Sequence, residues 1–328
     1  MEFSEEELAR IRARFSPDRY DRKRWLKNGD SDADNYDLNR MSGIAARAVL
    51  REKSAARASA LKGKGVTPAL AIVLAFGDDA SKTYAQNSVA EAAKCGIEAR
   101  LVSLPEEAGQ KALLGKLRGL ARDKAVHGII LMGPLPRGPA NDSYDEAAAK
   151  HLITPEKDLD ALCFENTARF YLKGETPLFY PPTIGGALLC LNLFGVALRG
   201  KRVAVVGRGN LVGRPIGIAL MDMLDCTVTY CHTKTRGLRA ILLASEAIVC
   251  ASGRAHLLGA EDVPEGAVLL DMGVHLEDGK TVGEFTPEAY NRAYAALKTP
   301  GGSGAMTVQY LLHNCLLAAE RSAEKKVK

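Results

Sequence analysis

Short apolar runs alternate with amphipathic helical patterns along most of this chain, and this alternation limits the folds that it can adopt. The apolar runs predict β-strands at Ala69–Ala75, Ala99–Leu104, Gly128–Met132, Arg202–Val206, Thr227–Tyr230, Ala247–Ala251 and Ala267–Met272. Helical patterns lie between most of them, at 83–94, 107–122, 212–224 and 235–244. Strands separated by helices in this way predict an α/β protein whose parallel sheets are covered on both faces and joined by right-handed crossovers.

The length of 328 residues favours two domains. Residues 1–40 are densely charged and predict an accessory extension. The first domain is expected at 41–180 and begins with a helix over 41–62, and the second is expected at 181–304. Prolines and glycines interrupt the alternation of strands and helices between the two domains, around 176–186.

A last helix is predicted from about Met306, within residues 305–322. One of its faces is apolar, with Val308, Leu311, Leu312, Cys315 and Leu316. We expect this face to pack back onto the first domain and complete it.

The composition narrows the classes of protein. No apolar stretch reaches the roughly 18 residues of a membrane-spanning helix, and the N-terminal residues lack the basic and apolar regions of a secretory signal, which predicts a cytoplasmic protein that does not bind membranes. The net charge of +5 comes without a basic tract interleaved with aromatics, so nucleic-acid binding is not predicted. The seven cysteines form no CxxC pair and predict reduced core thiols, and no metal site is expected.

A glycine-rich turn directly follows the strand ending at Val206. Gly207, Gly209 and Gly213 form a GxGxxxG pattern that opens a helix, so the backbone can approach a pyrophosphate at the helix N-terminus. This turn predicts that 181–304 is a nucleotide-binding domain of Rossmann type. Because the commoner pattern is GxGxxG, a plain tight turn is the alternative interpretation.

The segment after the next strand indicates which nicotinamide cofactor is used. Tyr230-Cys231-His232-Thr233-Lys234 contains no acidic residue for the ribose diol of NAD. Together with Arg208, these groups favour the 2′-phosphate of NADP, although NAD stays possible. The alternative is that the basic groups only face solvent.

Several segments resemble one family, the methylenetetrahydrofolate dehydrogenase/methenyltetrahydrofolate cyclohydrolases, between about Met41 and Arg321. They are GDDASKTY at 77–84, VHGIILMGPLP at 126–136, TPEKDLDAL at 154–162, YPPTIGG at 180–186, GKRVAVVGRGNLVGRP at 200–215, TVTYCHTKT at 227–235 and TPGGSGAMTVQYLL at 299–312. The resemblance implies that 41–180 is a folate-binding catalytic domain, with a cleft to the nucleotide-binding domain, and that the protein is a homodimer that binds tetrahydrofolate derivatives.

The resemblance implies roles for residues of the first domain. Ser81 and Tyr84 match an SxxY motif that faces the pterin, and Asp160 matches an aspartate that binds the pterin ring by paired hydrogen bonds. The alternatives are a structural tyrosine at 84 and a cap or turn residue at 160. His127 also matches, but a satisfied structural histidine is the simpler interpretation.

Other implied sites belong to the cofactor and to the loop between the domains. Gly301 and Gly302 match a glycine-rich loop beside nicotinamide and folate, with a hinge role as the alternative. The implied cofactor-binding residues are Gly207, Arg208, Gly209, Gly213, Pro215, His232, Thr233, Gly273 and Thr307.

The chain departs from the family at the position of its catalytic lysine, which is Ser88 here. The glutamine that partners this lysine is replaced too, by Met132 in the substrate site. Lys82 and Lys94 lie six residues from Ser88 and point to another helix face. Glu91 lies one turn from Ser88 on the same face and is the nearby candidate to replace the lysine, although a solvated surface glutamate is the favoured interpretation.

These departures affect the two activities of the family unequally. Hydride transfer needs mainly positioning, whereas cyclohydrolysis moves protons and gains from an acid–base group. We therefore predict a dehydrogenase whose cyclohydrolase is weakened or absent, with Tyr84, Ser88 and Asp160 at the catalytic positions. A catalytically silent paralogue that binds folate or nucleotide, and a dehydrogenase for another small substrate, are the alternatives.

Overall fold

The protein is described from a computed structural model, which covers residues 41–75, 79–105, 108–133, 135 and 144–327, with Ser4 and Glu6. The predicted extension at 1–40 lies outside the described residues apart from those two. The described part divides into two compact units. The three-stranded unit comprises 50–182 and 308–327, and the five-stranded unit comprises 41–49 and 183–307. The predicted domain boundaries at 180/181 and 304/305 stay predictions.

All the predicted strands form, with bounds that shift by a residue or so. The strands are β1 (Ala69–Ala75), β2 (Glu98–Leu104), β3 (Gly128–Leu131), β4 (Arg202–Val206), β5 (Thr227–Cys231), β6 (Ala247–Cys250), β7 (Ala267–Asp271), β8 (His275–Glu277), β9 (Lys280–Val282) and β10 (Ala293–Leu297).

The helices include every one that was predicted. They are α1 (Gly43–Gly63), α2 (Asp79–Lys94), α3 (Gly109–Arg122), α4 (Glu146–His151), α5 (Phe164–Tyr171), α6 (Pro182–Leu193), α7 (Gly213–Leu224), α8 (Leu238–Leu243), α9 (Pro287–Tyr290) and α10 (Ser303–Val327).

The two main sheets are parallel throughout, in the orders β2-β1-β3 and β10-β7-β6-β4-β5. β8 and β9 form a separate antiparallel hairpin. The strands β1, β3, β6 and β7 are buried along their whole length, as continuous apolar runs predict. The edge strands β2 and β5 are half exposed, so the expectation of sheets covered on both faces is wrong at these edges.

The core of the three-stranded unit joins α1, β1, α2 and the last helix. The five apolar residues predicted for one face of α10 all lie in it, beside Leu70, Ile72 and Ala92. The last helix therefore completes the three-stranded unit, because its apolar face covers residues of β1 and α2. The five-stranded unit has its own core, which includes Val206, Ile248 and Leu269.

Helix α6 was not predicted from the sequence. It begins inside the proline- and glycine-rich segment that was expected to separate the two domains. Pro182 is its first residue, a position where proline's fixed φ and missing N–H suit a helix. Gly186 lies inside this helix, at a position where a Cβ would be 3.0 Å from the backbone of Met306. The glycine thus reflects close packing here and not a chain break.

All seven cysteines are buried free thiols, as predicted. In the described ranges, no helix is long and apolar enough to cross a membrane. The same ranges contain no group of three or more His, Cys, Asp or Glu side chains that could hold a metal ion.

Candidate active site

Helix α2 carries the predicted pterin-facing residues of the three-stranded unit. Ser81, Tyr84 and Ser88 are spaced three and four residues apart, which places them on one helix face. Ser81 and Tyr84 are half buried, and the Tyr84 ring packs against the core of this unit. Burial raises the pKa of the Tyr84 phenol, and the nearby Asp160 carboxylate raises it further. Tyr84 is therefore a neutral hydrogen-bonding group at physiological pH.

Ser88 is buried, with 1% of its surface exposed. Its Oγ donates a hydrogen bond to the Tyr84 carbonyl oxygen at 2.8 Å, four residues back along the same helix. This is the backbone bond that serine commonly makes inside helices. The hydroxyl at the family's lysine position therefore bonds to the helix backbone, and it also interacts with the Tyr84 phenol, where it lowers the pKa.

Glu91, one turn further along α2, is buried and not solvated, so the prediction for this residue is wrong. Its carboxylate accepts two hydrogen bonds from Arg51, from Nε at 2.7 Å and from Nη2 at 2.9 Å. It also accepts one from Gln309 Nε2 at 2.6 Å, and Lys94 Nζ lies 3.6 Å away. Arg51 on α1 and Gln309 on α10 cover this face of α2.

The sequence reasoning did not find Arg51 or Gln309 as neighbours of the lysine position. Gln309 had a detectable signal, because it is a polar residue beside the apolar stripe of the last helix. Such a residue, when buried, needs a polar partner. Arg51 has no comparable signal, since it is one of several basic residues along α1.

Asp160 follows a short segment that pairs with β3 through a bridge between Ile129 and Asp158. The Asp158 carboxylate accepts from the Cys163 backbone N–H at 2.8 Å and from Asn166 Nδ2 at 3.0 Å. Asp158 thus makes the hydrogen bonds of this turn. Burial and, to a smaller extent, the negative charge of Asp158 raise the pKa of Asp160 to about 7, against the opposing effect of Lys150.

Met132 and His127 flank β3. Met132 is half buried and its side chain packs against the same core as Tyr84, while its backbone N–H donates to Val73. The Met132 thioether offers no strong hydrogen-bonding group to a neighbour. The His127 ring accepts a hydrogen bond from the Ala69 backbone N–H at 3.2 Å, which agrees with a structural role.

In the five-stranded unit, the glycine-rich turn joins β4 to α7. Gly207 has φ of +119°, and a Cβ there would collide with the Ala251 carbonyl oxygen. A Cβ on Gly213 would lie 2.6 Å from the Gly207 carbonyl oxygen. A Cβ on Gly209 would meet nothing within 4 Å, and Pro215 is buried in the first turn of α7. An open backbone at the N-terminus of a helix fits the pyrophosphate of a dinucleotide.

Near this turn, the side chains of Arg208, Thr233 and Lys234 are exposed. His232 is half buried, and its Nδ1 accepts a hydrogen bond from the Lys234 backbone N–H at 3.2 Å. The proton of the neutral ring is therefore on Nε2, which is free of this contact to donate outwards. The arrangement offers several donors and positive charges for an anionic group.

The remaining predicted site residues, Gly273 and Thr307 for the cofactor and Gly301 and Gly302 for the substrate, lie after β7 and β10. The Gly273 N–H donates to Asp271 Oδ1 at 3.3 Å. Gly301 has φ of +93° and accepts from the Ile44 N–H, and a Cβ on Gly302 would collide with the Lys298 carbonyl oxygen. Thr307 Oγ1 donates to the Ser303 carbonyl oxygen at 2.9 Å.

The predicted site residues thus fall into two groups. Ser81, Tyr84, Ser88, Met132 and Asp160 belong to the three-stranded unit, and the predicted cofactor residues, with Gly301 and Gly302, belong to the five-stranded unit.

Comparisons with known proteins assign both units to one family. The catalytic domain of tetrahydrofolate dehydrogenase/cyclohydrolase matches residues 41–160, and the NAD(P)-binding domain of the same family matches residues 181–323. The bifunctional protein FolD of Variovorax paradoxus is 37% identical over 286 residues, which cover 87% of this chain and 98% of that protein. FolD 1 of Rubrobacter xylanophilus is 38% identical over 287 residues, with the same coverage.

Solved structures agree. Trypanosoma brucei methylenetetrahydrofolate dehydrogenase-cyclohydrolase, complexed with NADP and an inhibitor, superposes with a TM-score of 0.80 at 31% identity, covering 86% of this chain and 97% of that one. The predicted fold class is confirmed, and the predicted nicotinamide cofactor is confirmed at the level of NAD(P). By both its units, this chain belongs to the tetrahydrofolate dehydrogenase/cyclohydrolase family.

Proposed function

We propose that this protein oxidises 5,10-methylenetetrahydrofolate to 5,10-methenyltetrahydrofolate with NADP, and that its cyclohydrolase step is weak or absent. The observation that carries the proposal is the state of the lysine position. The Ser88 hydroxyl donates to the Tyr84 carbonyl oxygen, and the Glu91 carboxylate beside it is held by Arg51 and Gln309. Because these hydrogen bonds occupy the hydroxyl and the carboxylate, we expect neither group to relay a proton.

The oxidation itself makes modest demands on the protein. When bound, the nicotinamide ring accepts a hydride, and the nitrogen lone pair of the substrate stabilises the resulting cation. The side chains therefore have to orient the folate and exclude water, not to abstract a proton. Tyr84 offers a ring and a neutral hydroxyl for this, and Asp160 offers a carboxyl group to the aminopyrimidinone edge of the pterin.

Cyclohydrolysis makes a different demand. Water must add to the methenyl bridge, and a proton must then move before the ring opens. A positioned acid–base group typically contributes about 10²–10⁴-fold to such steps. Because neither Ser88 nor Met132 titrates near neutral pH, this contribution is lost unless another group supplies it.

NADP is the proposed cofactor. Arg208, His232, Thr233 and Lys234 present cationic and donor groups near the dinucleotide turn, and the segment after β5 holds no acid for the NAD ribose. The NADP-bound relative from Trypanosoma brucei supports this choice. A lower KM for NAD than for NADP would contradict it.

Substitution of Ser88 tests the proposed division of activities. We expect Ser88→Ala to leave the rate of methylenetetrahydrofolate oxidation within about threefold of the wild type, because the hydroxyl bonds only to its own helix. Any slow hydrolysis of methenyltetrahydrofolate should also persist unchanged. A loss of hydrolysis of about tenfold or more would show that Ser88 takes part in proton transfer after all.

A catalytically silent paralogue is the second candidate, and it would bind folate or nucleotide without turnover. The lost lysine favours it, whereas a dinucleotide turn whose glycines fit their positions favours the enzyme. The homodimer and the cytoplasmic location stay predictions, the first from the family resemblance and the second from the N-terminal sequence.

A further inference from the structure

Glu284, which follows the β8–β9 hairpin, is a fully buried carboxylate that none of the roles above uses. It accepts hydrogen bonds from the backbone N–H groups of Ser252 and Gly253, both at 2.6 Å. It also accepts from Ser252 Oγ at 2.9 Å and from His275 Nε2 at 3.2 Å. Hydrogen bonds to a charged acceptor are about twice as strong as neutral ones, so Glu284 holds the loop after β6 firmly.

This loop supports the dinucleotide turn. Gly207 lies so close to it that a Cβ on Gly207 would collide with the Ala251 carbonyl oxygen and lie 3.1 Å from the Ser252 nitrogen. The Gly207 N–H in turn donates to the Cys231 carbonyl oxygen at 2.9 Å. The backbone of the turn therefore packs directly against the loop whose N–H groups donate to Glu284.

A second carboxylate fixes Glu284 itself. Asp271, at the end of β7, accepts from the Glu284 backbone N–H at 3.1 Å and 3.0 Å, one distance for each oxygen. Tyr290 Oη donates to Asp271 Oδ2 at 2.5 Å. The loops after β6 and β7 are thereby tied together at the carboxyl ends of parallel strands, where dinucleotides bind in folds of this kind.

We propose that Glu284 is a positioning residue for the nicotinamide cofactor, acting through the loop 251–253 on the turn at Gly207. It holds two N–H groups in the geometry that seats the turn, and the four donors around it shield its negative charge from the cofactor pyrophosphate. The inference rests on the proposed assignment of the turn 207–213 to the cofactor.

The Glu284→Gln variant tests the proposal. An amide keeps the shape but places an NH₂ group opposite one of the N–H donors, so the loop should loosen. We expect the Kd for NADPH, measured by its fluorescence, to rise about tenfold while the KM for the folate substrate stays within about twofold. In the cofactor-free protein, hydrogen exchange should accelerate at Ser252, Gly253 and Gly207.

Glu246→Gln is the matched control. Glu246 also accepts from a backbone N–H, that of Arg202 at 3.1 Å, but at the opposite end of β4. It should leave the Kd for NADPH unchanged. Should Glu284→Gln fail to fold, Tyr290→Phe removes one bond to Asp271 and should raise this Kd about threefold.

Two results would contradict the role of Glu284, and a third would contradict the proposed function on which it rests. An unchanged Kd for NADPH in the folded variants would overturn the role of Glu284. An equal loss of NADPH and folate binding would overturn it too, since it would indicate general destabilisation. A wild-type protein that binds no NADPH would contradict the proposed function and not this inference alone.

Discussion

A network of charged and polar side chains lies next to Ser88 on helix α2. Glu91 is held by two hydrogen bonds from Arg51 and one from Gln309, on the same helix face as Ser88. A lysine would bring a titratable cation to this face, whereas the network brings an anion that is already neutralised. The hydrogen bonds of this network hold α2 against its neighbouring helices, and they occupy the Glu91 carboxylate.

Breaking this network should cost stability. Glu91→Gln leaves the Arg51 guanidinium without its counter-charge, but Arg51 is 31% exposed and solvent will compensate in part. We expect a loss of about 1–3 kcal/mol in the free energy of unfolding, measured with urea. Glu165→Gln, which breaks an exposed pair with Arg169, is the control and should change it by less than about 0.5 kcal/mol. If both variants lost the same free energy of unfolding, this would contradict the buried environment of Glu91.

Asp160 should make folate binding depend on pH. Its pKa, raised to about 7, means that the carboxyl group is largely neutral at pH 6 and largely ionised at pH 8. If the carboxylate is the form that accepts from the pterin, the affinity for an unreactive tetrahydrofolate analogue rises about tenfold over this range. Calorimetry should show this rise in the wild type and a flat, weak profile in Asp160→Asn. A flat wild-type profile would contradict the role of Asp160.

At the scale of elements, the strands could be predicted because continuous apolar runs are the signature of buried parallel strands. β8, β9 and β10 escaped detection, since the hairpin is exposed and β10 has a tyrosine, Tyr294, facing solvent. The start of α6 was hidden because its proline and glycines also occur in turns. Their meaning depends on packing partners that are distant in sequence.

Two glycine variants can distinguish a pyrophosphate-binding turn from a plain tight turn at 207–213. Gly207→Ala should cost about 2–4 kcal/mol of stability, because φ is positive and the methyl group meets the Ala251 carbonyl oxygen. Gly209→Ala should cost less than about 0.5 kcal/mol, since its Cβ meets nothing. If the turn binds pyrophosphate, Gly209→Ala should nevertheless lower NADPH affinity about tenfold. A plain tight turn would leave the affinity unchanged, which fluorescence titration can decide.

At the scale of the whole molecule, the family and its two-unit α/β organisation could be predicted because many ordered motifs agree. The environment of the lysine position could not. Glu91 was predicted to be exposed because nothing in a single sequence shows that α1 and α10 both cover α2. The partners Arg51 and Gln309 lie 40 and 218 residues away from it in sequence. The substitution was visible, but its structural consequence depended on these long-range contacts.

We propose that this family member oxidises methylenetetrahydrofolate and leaves the methenyl product largely unhydrolysed. The most direct measurement follows the absorbance of methenyltetrahydrofolate after the protein is mixed with methylenetetrahydrofolate and NADP. We predict that the product accumulates and then decays at the rate seen without protein. Formation followed by protein-dependent decay that keeps pace with the oxidation would contradict the account, as would a failure to form the product with either NADP or NAD.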